Sequence, residues 1–363
     1  MERQPSPAPA RDTQCTSVWG RGCPAPEPRA PQSPTIAESV AMTSPEHQPR
    51  PAVPFSFELY PPRTAETGAA LETTIRLLAD AGPRFISVTY GAGGTSKRSS
   101  IDVLRFIRDH TDVDPLAHLT CIGSTAADAN RVIREFLDEG ITNFLALRGD
   151  APQGTSDENA SLGDLRSAAE LVQLIHRVQV EREPYSEFEL PGLPSAKSVQ
   201  ERHRVRIGVA AFPNGHPNSR GTGQDIDTLL AKQAAGATFA ITQLFFHADD
   251  YLTFVERAGR AGVRIPILPG IMPITGPARL RRVLELTGEE IPADLAVAIE
   301  IEPTEEGRRR VGIDHAVRLA AEVLDGGAPG LHLYAFNQHS TVLSVLADLG
   351  IPLTPSPSRK EFA

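Results

Sequence analysis

Eight times between Pro54 and Pro352, a short apolar run is followed by a stretch whose apolar residues recur at helical spacing. The runs are FSFEL (55–59), FISVTY (85–90), LAHLTC (116–121), FLALR (144–148), VRIGVAAF (205–212), FAITQLFF (239–246), IPILPG (265–270) and LHLYAF (331–336). Between them lie sets such as Leu71/Ile75/Leu78, Val132/Ile133/Phe136/Leu137, Leu171/Ile175/Val178 and Val342/Val345/Leu346/Leu349, each a single helix face. Near-continuous apolar strands alternating with amphipathic helices demand a parallel sheet covered by helices. Eight units over roughly 300 residues favour a (β/α)8 TIM barrel of the α/β class over an open doubly wound sheet.

Most strand starts lie 26 to 34 residues apart, and two gaps, 144–205 and 265–331, are longer. The first holds the polar stretch 151–163 and the segment 181–203, read as surface insertions. The second predicts extra helices around Leu280–Leu286, Ala293–Glu300 and Glu305–Leu324. The barrel is thus expected over residues 54–352, with a short tail at 353–363. Residues 1–53 read as a disordered arm, because 12 of the 32 prolines fall in the first 54 residues, with no periodic apolar run to offset the entropy of ordering. Met42 is an alternative start, which would make residues 1–41 a misassigned extension.

The net charge is −9, and the first 50 residues carry five basic and five acidic side chains, so the excess lies on the barrel. A net-acidic domain argues against general nucleic-acid binding. The three cysteines, Cys15, Cys23 and Cys121, form neither a disulfide framework nor a metal spacing, which fits a reducing cytoplasm. No apolar run has membrane-spanning length, and the arm lacks the features of a signal or transit peptide.

In a barrel the polar residues at C-terminal strand ends face the active-site mouth. These ends are rich here: Glu58 in strand 1, Thr89-Tyr90-Gly91-Ala92 after strand 2, His118 and Thr120 in strand 3, and Arg148-Gly149-Asp150 after strand 4. Strand 5 leads into Phe212-Pro213-Asn214-Gly215-His216, strand 6 into Thr242-Gln243 and strand 8 into Asn337-Gln338. Taken singly, each has a structural reading: a salt-bridged Glu58, a satisfied core His118, an Arg148–Asp150 pair, a tight turn at 91–94, a capping His216. A carboxylate desolvated among Phe57, Leu59 and the prolines is expected to have a raised pKa, as a general acid needs. The glycine run matches neither the dinucleotide fingerprint nor the P-loop.

Together the strings FSFELYPPRT, SVTYGAGG, HLTC, LALRGD, VAAFPNGHPNS, AGATFAITQLFF, PGIMPIT and GLHLYAFN resemble methylenetetrahydrofolate reductases over roughly residues 54–352. The resemblance implies a barrel binding FAD at its mouth, with NADH or NADPH as co-substrate. Hydride would pass by way of the flavin to methylenetetrahydrofolate in ping-pong fashion, giving methyltetrahydrofolate for one-carbon and methionine metabolism. It also implies a homo-oligomer of bacterial type, cytoplasmic, with small-molecule partners and no metal.

Carried over residue by residue, Glu58 matches the family's general acid for opening the folate's five-membered ring. Asp150 matches the catalytic aspartate between flavin and folate. Thr89, Tyr90, Ala92, His118, Arg148, Gly149, Asp150, Phe212, His216, Asp225 and Lys232 fall on cofactor-binding positions, and Gln243, Arg279 and Gln338 on substrate-binding ones. Several positions depart from the bacterial pattern. Phe212 replaces a tyrosine, Thr228 and Ala231 an asparagine and an arginine, Arg279 and Val283 a glutamine and a phenylalanine, and Gln338 an arginine. The changes at 212, 228 and 231 motivate a rival reading, a flavin-independent reductase with direct hydride transfer; a further alternative, a non-catalytic folate-binding barrel, is opposed by the intact Glu58 and Asp150.

Overall fold

The computed structural model describes residues 53–89, 96–149, 163–182, 186–188, 196–198, 204–287 and 289–353. The element order is β1 (Phe55–Leu59), α1 (Ala65–Ala79), β2 (Phe85–Val88), α2 (Ser96–His110), β3 (Asp114–Thr120), α3 (Ala126–Asp138), β4 (Asn143–Leu147) and α4 (Ala168–Arg182). A small antiparallel hairpin, β5 (Ser186–Phe188) and β6 (Ala196–Ser198), follows within the predicted insertion. The chain then runs through β7 (Arg206–Ala211), α5 (Thr222–Ala234), β8 (Phe239–Thr242), α6 (Ala248–Ala261), β9 (Ile267–Leu268) and β10 (Gly270–Ile271). It ends with α7 (Pro277–Thr287), α8 (Ala293–Ile301), α9 (Glu305–Asp325), β11 (Leu331–Tyr334) and α10 (His339–Asp348).

All the ladders of the main sheet are parallel, in the order β10-β11-β1-β2-β3-β4-β7-β8-β9. The two ends of that order, β9 and β10, are adjacent in sequence. They are halves of one seventh strand, broken at Pro269, which has no N–H for a ladder. The sheet therefore runs round to its own start, and the TIM barrel expected from the sequence is what forms. At the join, the Gly270 N–H donates to Thr242 Oγ1 at 2.9 Å, and the Tyr334 hydroxyl donates to the Thr242 carbonyl at 2.9 Å. A Cβ on Gly270 would lie 2.4 Å from that carbonyl oxygen, so this crossing admits only glycine.

Alternation along the strands splits the chain into two cores. Phe55, Phe57 and Leu59 of β1, Ile86 and Val88 of β2, and Leu331 and Leu333 of β11 pack with the surrounding helices in the main hydrophobic cluster. Leu116, Leu145, Phe239 and Ile241, joined by Phe85 and Leu268, form a separate cluster from the alternate positions. Facing inward with them are the buried polar residues Ser56, Ser87, His118 and His332. The predicted runs overshoot the strands at two mouths. FAITQLFF leaves the sheet after Thr242 because Leu244 and Phe246 turn into a third cluster with Val283, Leu295 and Ile299 of α7 and α8. LHLYAF stops at Tyr334 because Phe336 and Asn337 take positive φ values of 47° and 58°. Among the described residues, no helix is long and apolar enough to cross a membrane.

Candidate active site

Three inward side chains from three strands meet at the barrel axis. Glu58 of β1 places Oε2 3.4 Å from Nε2 of His118 on β3 and 3.5 Å from Nε2 of His332 on β11. The Glu58 side chain is 19% exposed, His118 7% and His332 not at all. The far nitrogen of His332, Nδ1, lies 2.8 Å from Ser56 Oγ, and Ser56 donates to the Leu331 carbonyl at 3.3 Å. Phe85 stacks on the His332 ring at 5.7 Å between centroids, and Tyr334 meets it edge-on at 5.4 Å.

Burial alone pushes the Glu58 carboxyl up, as its surroundings in the sequence suggest. The His118 charge, together with the hydrogen bond and charge of His332, outweighs burial and holds the carboxyl below its ordinary value. The expected upward shift is therefore corrected. The apolar neighbours Phe57 and Leu59 face the helices, and the carboxyl points instead at two histidines. Burial also drives His118 down, against the attraction of Glu58. Burial and the nearby Glu58 charge raise the Tyr334 hydroxyl well above its usual range.

From this cluster a cleft of about 700 Å³ runs outward past the ends of β4 and β7 to α5. That size is typical of cofactor sites. Its walls carry Glu58, His118, Arg148, Gly149, Phe212, His216, Asp225, Lys232 and Gln243, all expected from the sequence. Gly149 has φ 88°, and a Cβ there would meet Ile122 at 2.8 Å, which accounts for glycine at the end of β4. Lys232 of α5 is buried and donates from Nζ to the Ala210 carbonyl at 2.8 Å. Desolvation brings its pKa to about 8, against the pull of Asp225 and with the push of Arg148. Asp225 accepts the His216 N–H at 3.3 Å through Oδ1, while its buried Oδ2 has no hydrogen-bond partner. The His216 ring lies edge-on to Phe212 at 4.8 Å. Gln243 uses its side-chain carbonyl to accept the Leu244 N–H at 3.0 Å.

Three predicted residues stand away from the cleft wall. Thr89 directly follows β2 and donates its N–H to the Leu59 carbonyl at 2.9 Å. Gln338 is exposed at the start of α10. Arg279 of α7 covers the Phe336 ring, 4.6 Å from its centroid. That ring is held edge-on to Tyr60, and the Asn337 side chain pairs with both the N–H and the carbonyl of Tyr60, at 3.1 and 2.9 Å. Burial lowers the Arg279 pKa, and no carboxylate pairs with it among the described residues. Tyr90, Ala92 and Asp150 lie outside the described residues.

The sequence reading missed Ser56, His332 and Tyr334 at the axis, and Arg166 and Glu289 on the cleft wall. The signal for His332 was present: in LHLY it is an ionisable residue at an inward position between two leucines, in register with Ser56. Among the described residues, no group of three or more His, Cys, Asp or Glu side chains is arranged to hold a metal ion.

A sequence model of the methylenetetrahydrofolate reductase family matches residues 46–350, most of the chain. The chain belongs to this family. It is 30% identical over 297 residues to the 5,10-methylenetetrahydrofolate reductase of Escherichia coli, covering 82% of this chain and 90% of that one. A maize methylenetetrahydrofolate reductase (NADH) is also 30% identical over 82% of this chain, which matches 48% of the maize protein. The same identity and share of this chain hold for a probable methylenetetrahydrofolate reductase (NADPH) of Caenorhabditis elegans, of which 42% is covered. Among solved structures, a Clostridium thermocellum protein that binds two copies of 5-methyl-5,6,7,8-tetrahydrofolic acid superposes with a TM-score of 0.54. It shares 12% identity, with 83% of this chain and 95% of that one covered, and it shows the shared barrel.

Proposed function

We propose that the protein reduces methylenetetrahydrofolate to methyltetrahydrofolate with NADH or NADPH, and that FAD is its cofactor. The observation that carries this reading is the joining of two unlike sites in one cleft. A carboxyl among histidines stands at the barrel axis, and cationic groups without a paired carboxylate among the described residues stand further out. Arg148 and Lys232 are the residues to hold a diphosphate, because a guanidinium and a desolvated ammonium gain most from an anion in a partly dry site. The orphaned Asp225 Oδ2, beside that ammonium, is an acceptor suited to ribose hydroxyls. Phe212 and His216 offer an edge-to-face aromatic wall, and the φ of Gly149 lets backbone come close to a bound ring. This donor set fits FAD. When bound, FAD supplies the centre through which hydride moves from nicotinamide to folate.

The chain's own part is binding, orientation and one proton. Gln243, next to the Glu58 cluster along the cleft, is placed to hold the pterin edge. Arg279, on its aromatic support of Phe336 and Tyr60, is placed to take the negative tail of the folate. A proton shared among Glu58, His118 and His332 passes by way of the Glu58 carboxyl to the nitrogen released as the five-membered ring opens. The breaking C–N bond leaves its electron pair on that nitrogen, and the carbon becomes an iminium ready for hydride. A negative side chain at Asp150 would favour that cation.

An absorption spectrum of the purified protein, followed by anaerobic titration with NADH and then NADPH, tests the reading. The expected result is a flavin spectrum that bleaches with one or both nucleotides and recovers on adding methylenetetrahydrofolate. A colourless protein that stays inactive with added FAD overturns it. A colourless protein that turns over folate with single-step kinetics would assign direct hydride transfer, the reading to which Phe212 and Thr228 lend support. Thr228 turns its hydroxyl back to the Gln224 carbonyl at 2.8 Å and so offers the cleft no donor.

A further inference from the structure

The loop at 214–216, between β7 and α5, holds two carboxylates of the cleft wall, each by one oxygen only. From α5, Asp225 accepts the His216 N–H at 3.3 Å through Oδ1, and its buried Oδ2 has no hydrogen-bond partner. From just beyond α7, Glu289 accepts from Asn214 Nδ2 at 2.6 Å through Oε2. Its Oε1 has no hydrogen-bond partner among the described residues. The half-buried Glu289 has a pinned backbone. Its N–H donates to Thr287 Oγ1 at 3.2 Å, and that hydroxyl donates to the Val283 carbonyl at 2.8 Å. Asn214 Nδ2 also donates to Oδ2 of Asp250, in the first turn of α6, at 3.2 Å. Both amide hydrogens are then engaged. Burial and the Asp250 charge hold the Glu289 carboxyl above its ordinary value, against the Asn214 hydrogen bond, and no cation acts on it.

The two walls of the cleft differ in sign. Arg148, Arg166 and Lys232 come from the end of β4, the start of α4 and α5. Gln243 and Glu289 come from the end of β8 and the end of α7, and β8 lies beyond β7 from β4 in the sheet. A cofactor whose diphosphate rests on Arg148 and Lys232 leaves the β8–α7 side to the molecule that exchanges at each turnover. There Glu289 presents an oxygen that only accepts, with a second carboxylate behind it. A ribose hydroxyl donates to such an oxygen, the usual way in which an acid reads the diol of NAD. A 2′-phosphate, with a charge of about −1.5 to −2, meets two like charges and no free amide hydrogen of Asn214. We propose that Glu289, held by Asn214 and backed by Asp250, accepts a hydroxyl of the co-substrate's adenosine ribose and so admits NADH while turning NADPH away. This rests on the reductase reading and adds which nucleotide supplies the hydride.

The test compares kcat/KM for NADH and for NADPH, with methylenetetrahydrofolate as acceptor, in wild type, Glu289→Gln and Asn214→Ala. Calorimetry on the same proteins compares ADP-ribose with 2′-phospho-ADP-ribose, so that binding is read without hydride transfer. Wild type should favour NADH by about 10²-fold or more, and ADP-ribose should bind more tightly than its 2′-phosphorylated counterpart. Glu289→Gln should cut the preference about tenfold, slowing NADH and speeding NADPH, because the amide keeps the shape and loses the charge. Asn214→Ala leaves the charge but frees the side chain. It should raise KM for NADH several-fold and keep NADPH excluded. Added salt should narrow the wild-type preference as it screens the carboxylates. Equal use of the two nucleotides by wild type, or a preference unchanged in Glu289→Gln, overturns the proposal and leaves the reductase reading standing. A protein that reduces methylenetetrahydrofolate with neither nucleotide overturns the reductase reading, and this inference with it.

Discussion

On the β11–β1–β3 side of the mouth, the ionisable groups lie inside the barrel, pressed against one another and against Phe85 and Tyr334. On the β4–β7–α5 side they stand at the rim, and the cations there lack a paired carboxylate among the described residues. The difference follows from what each side has to hold. A proton is held where titratable groups lie close together away from water, since burial is what makes a charge sensitive to its neighbours. An anionic ligand is attracted by a cation with no intramolecular partner to displace. Lys232 comes near that need: among the described residues its ammonium donates to the Ala210 carbonyl, stands over the Phe212 ring and feels Asp225, but holds no close ion pair, and burial lowers its pKa. The surface ion pairs on α2 and α3, such as Arg105 with Glu139, are the opposite case, fully partnered and part of neither side.

Glu58→Gln should break the first side alone and produce the largest effect. The amide keeps the size and can still bond with His118 and His332, so folding and cofactor content should match wild type. Folate turnover should fall about 10²–10⁴-fold, the usual value of a positioned acid. NAD(P)H oxidation by a quinone should be spared. Equal losses in both reactions would show that the two sides are not separate.

The division between the sides was only partly legible in the sequence. The barrel itself was, because eight apolar runs at helix-containing intervals leave little else to build. The family resemblance also singled out Glu58 and Lys232, and both line the cleft. The company that Glu58 keeps was not. Its sequence neighbours Phe57 and Leu59 point the other way, and its real neighbours, His118 and His332, are 60 and 274 positions distant along the chain. Register across β11, β1, β2 and β3 brings them together, and register is a property of the closed sheet. The split of the seventh strand was written in IPILPG as prolines, yet only closure shows that both halves belong to one barrel position.

Lys232→Met should break the second side. Loss of a charged hydrogen-bond donor to the cofactor should weaken binding by about 1.5–3 kcal/mol, or roughly 10- to 100-fold, with turnover near wild type at saturating FAD. The lysine also predicts a pH signature in cofactor-free protein. Its pKa falls from 10.5 unfolded to about 8 folded. Between those values the unfolded chain holds more protons, so this group makes stability rise with pH from about 8 to 10.5, by on the order of 3 kcal/mol. Denaturant midpoints measured across that range should climb in wild type and climb less in Lys232→Met. Affinity for an anionic cofactor should fall over the same range as the ammonium is lost.

Arg279→Gln sharpens the comparison, because it puts a rim-type cation on the proton side of the mouth. The guanidinium is half-buried over Phe336, and that ring sits on a backbone of positive φ pinned by Asn337 to Tyr60. Such backbone is costly for a non-glycine residue and is maintained only where the surrounding contacts insist on it. A cation stacked on an aromatic ring, with no carboxylate beside it, contributes about 0.5–2 kcal/mol to holding an anion or the ring itself. KM for methylenetetrahydrofolate should therefore rise several-fold with kcat unchanged, the mark of binding felt equally in ground and transition states. The corresponding pteroate, which lacks the glutamate carboxylates, separates the two origins. If Arg279 holds the tail, its substitution should leave the pteroate KM where it was. If the pteroate KM rises as much as the folate KM, the arginine acts by bracing Phe336 and the floor of the mouth.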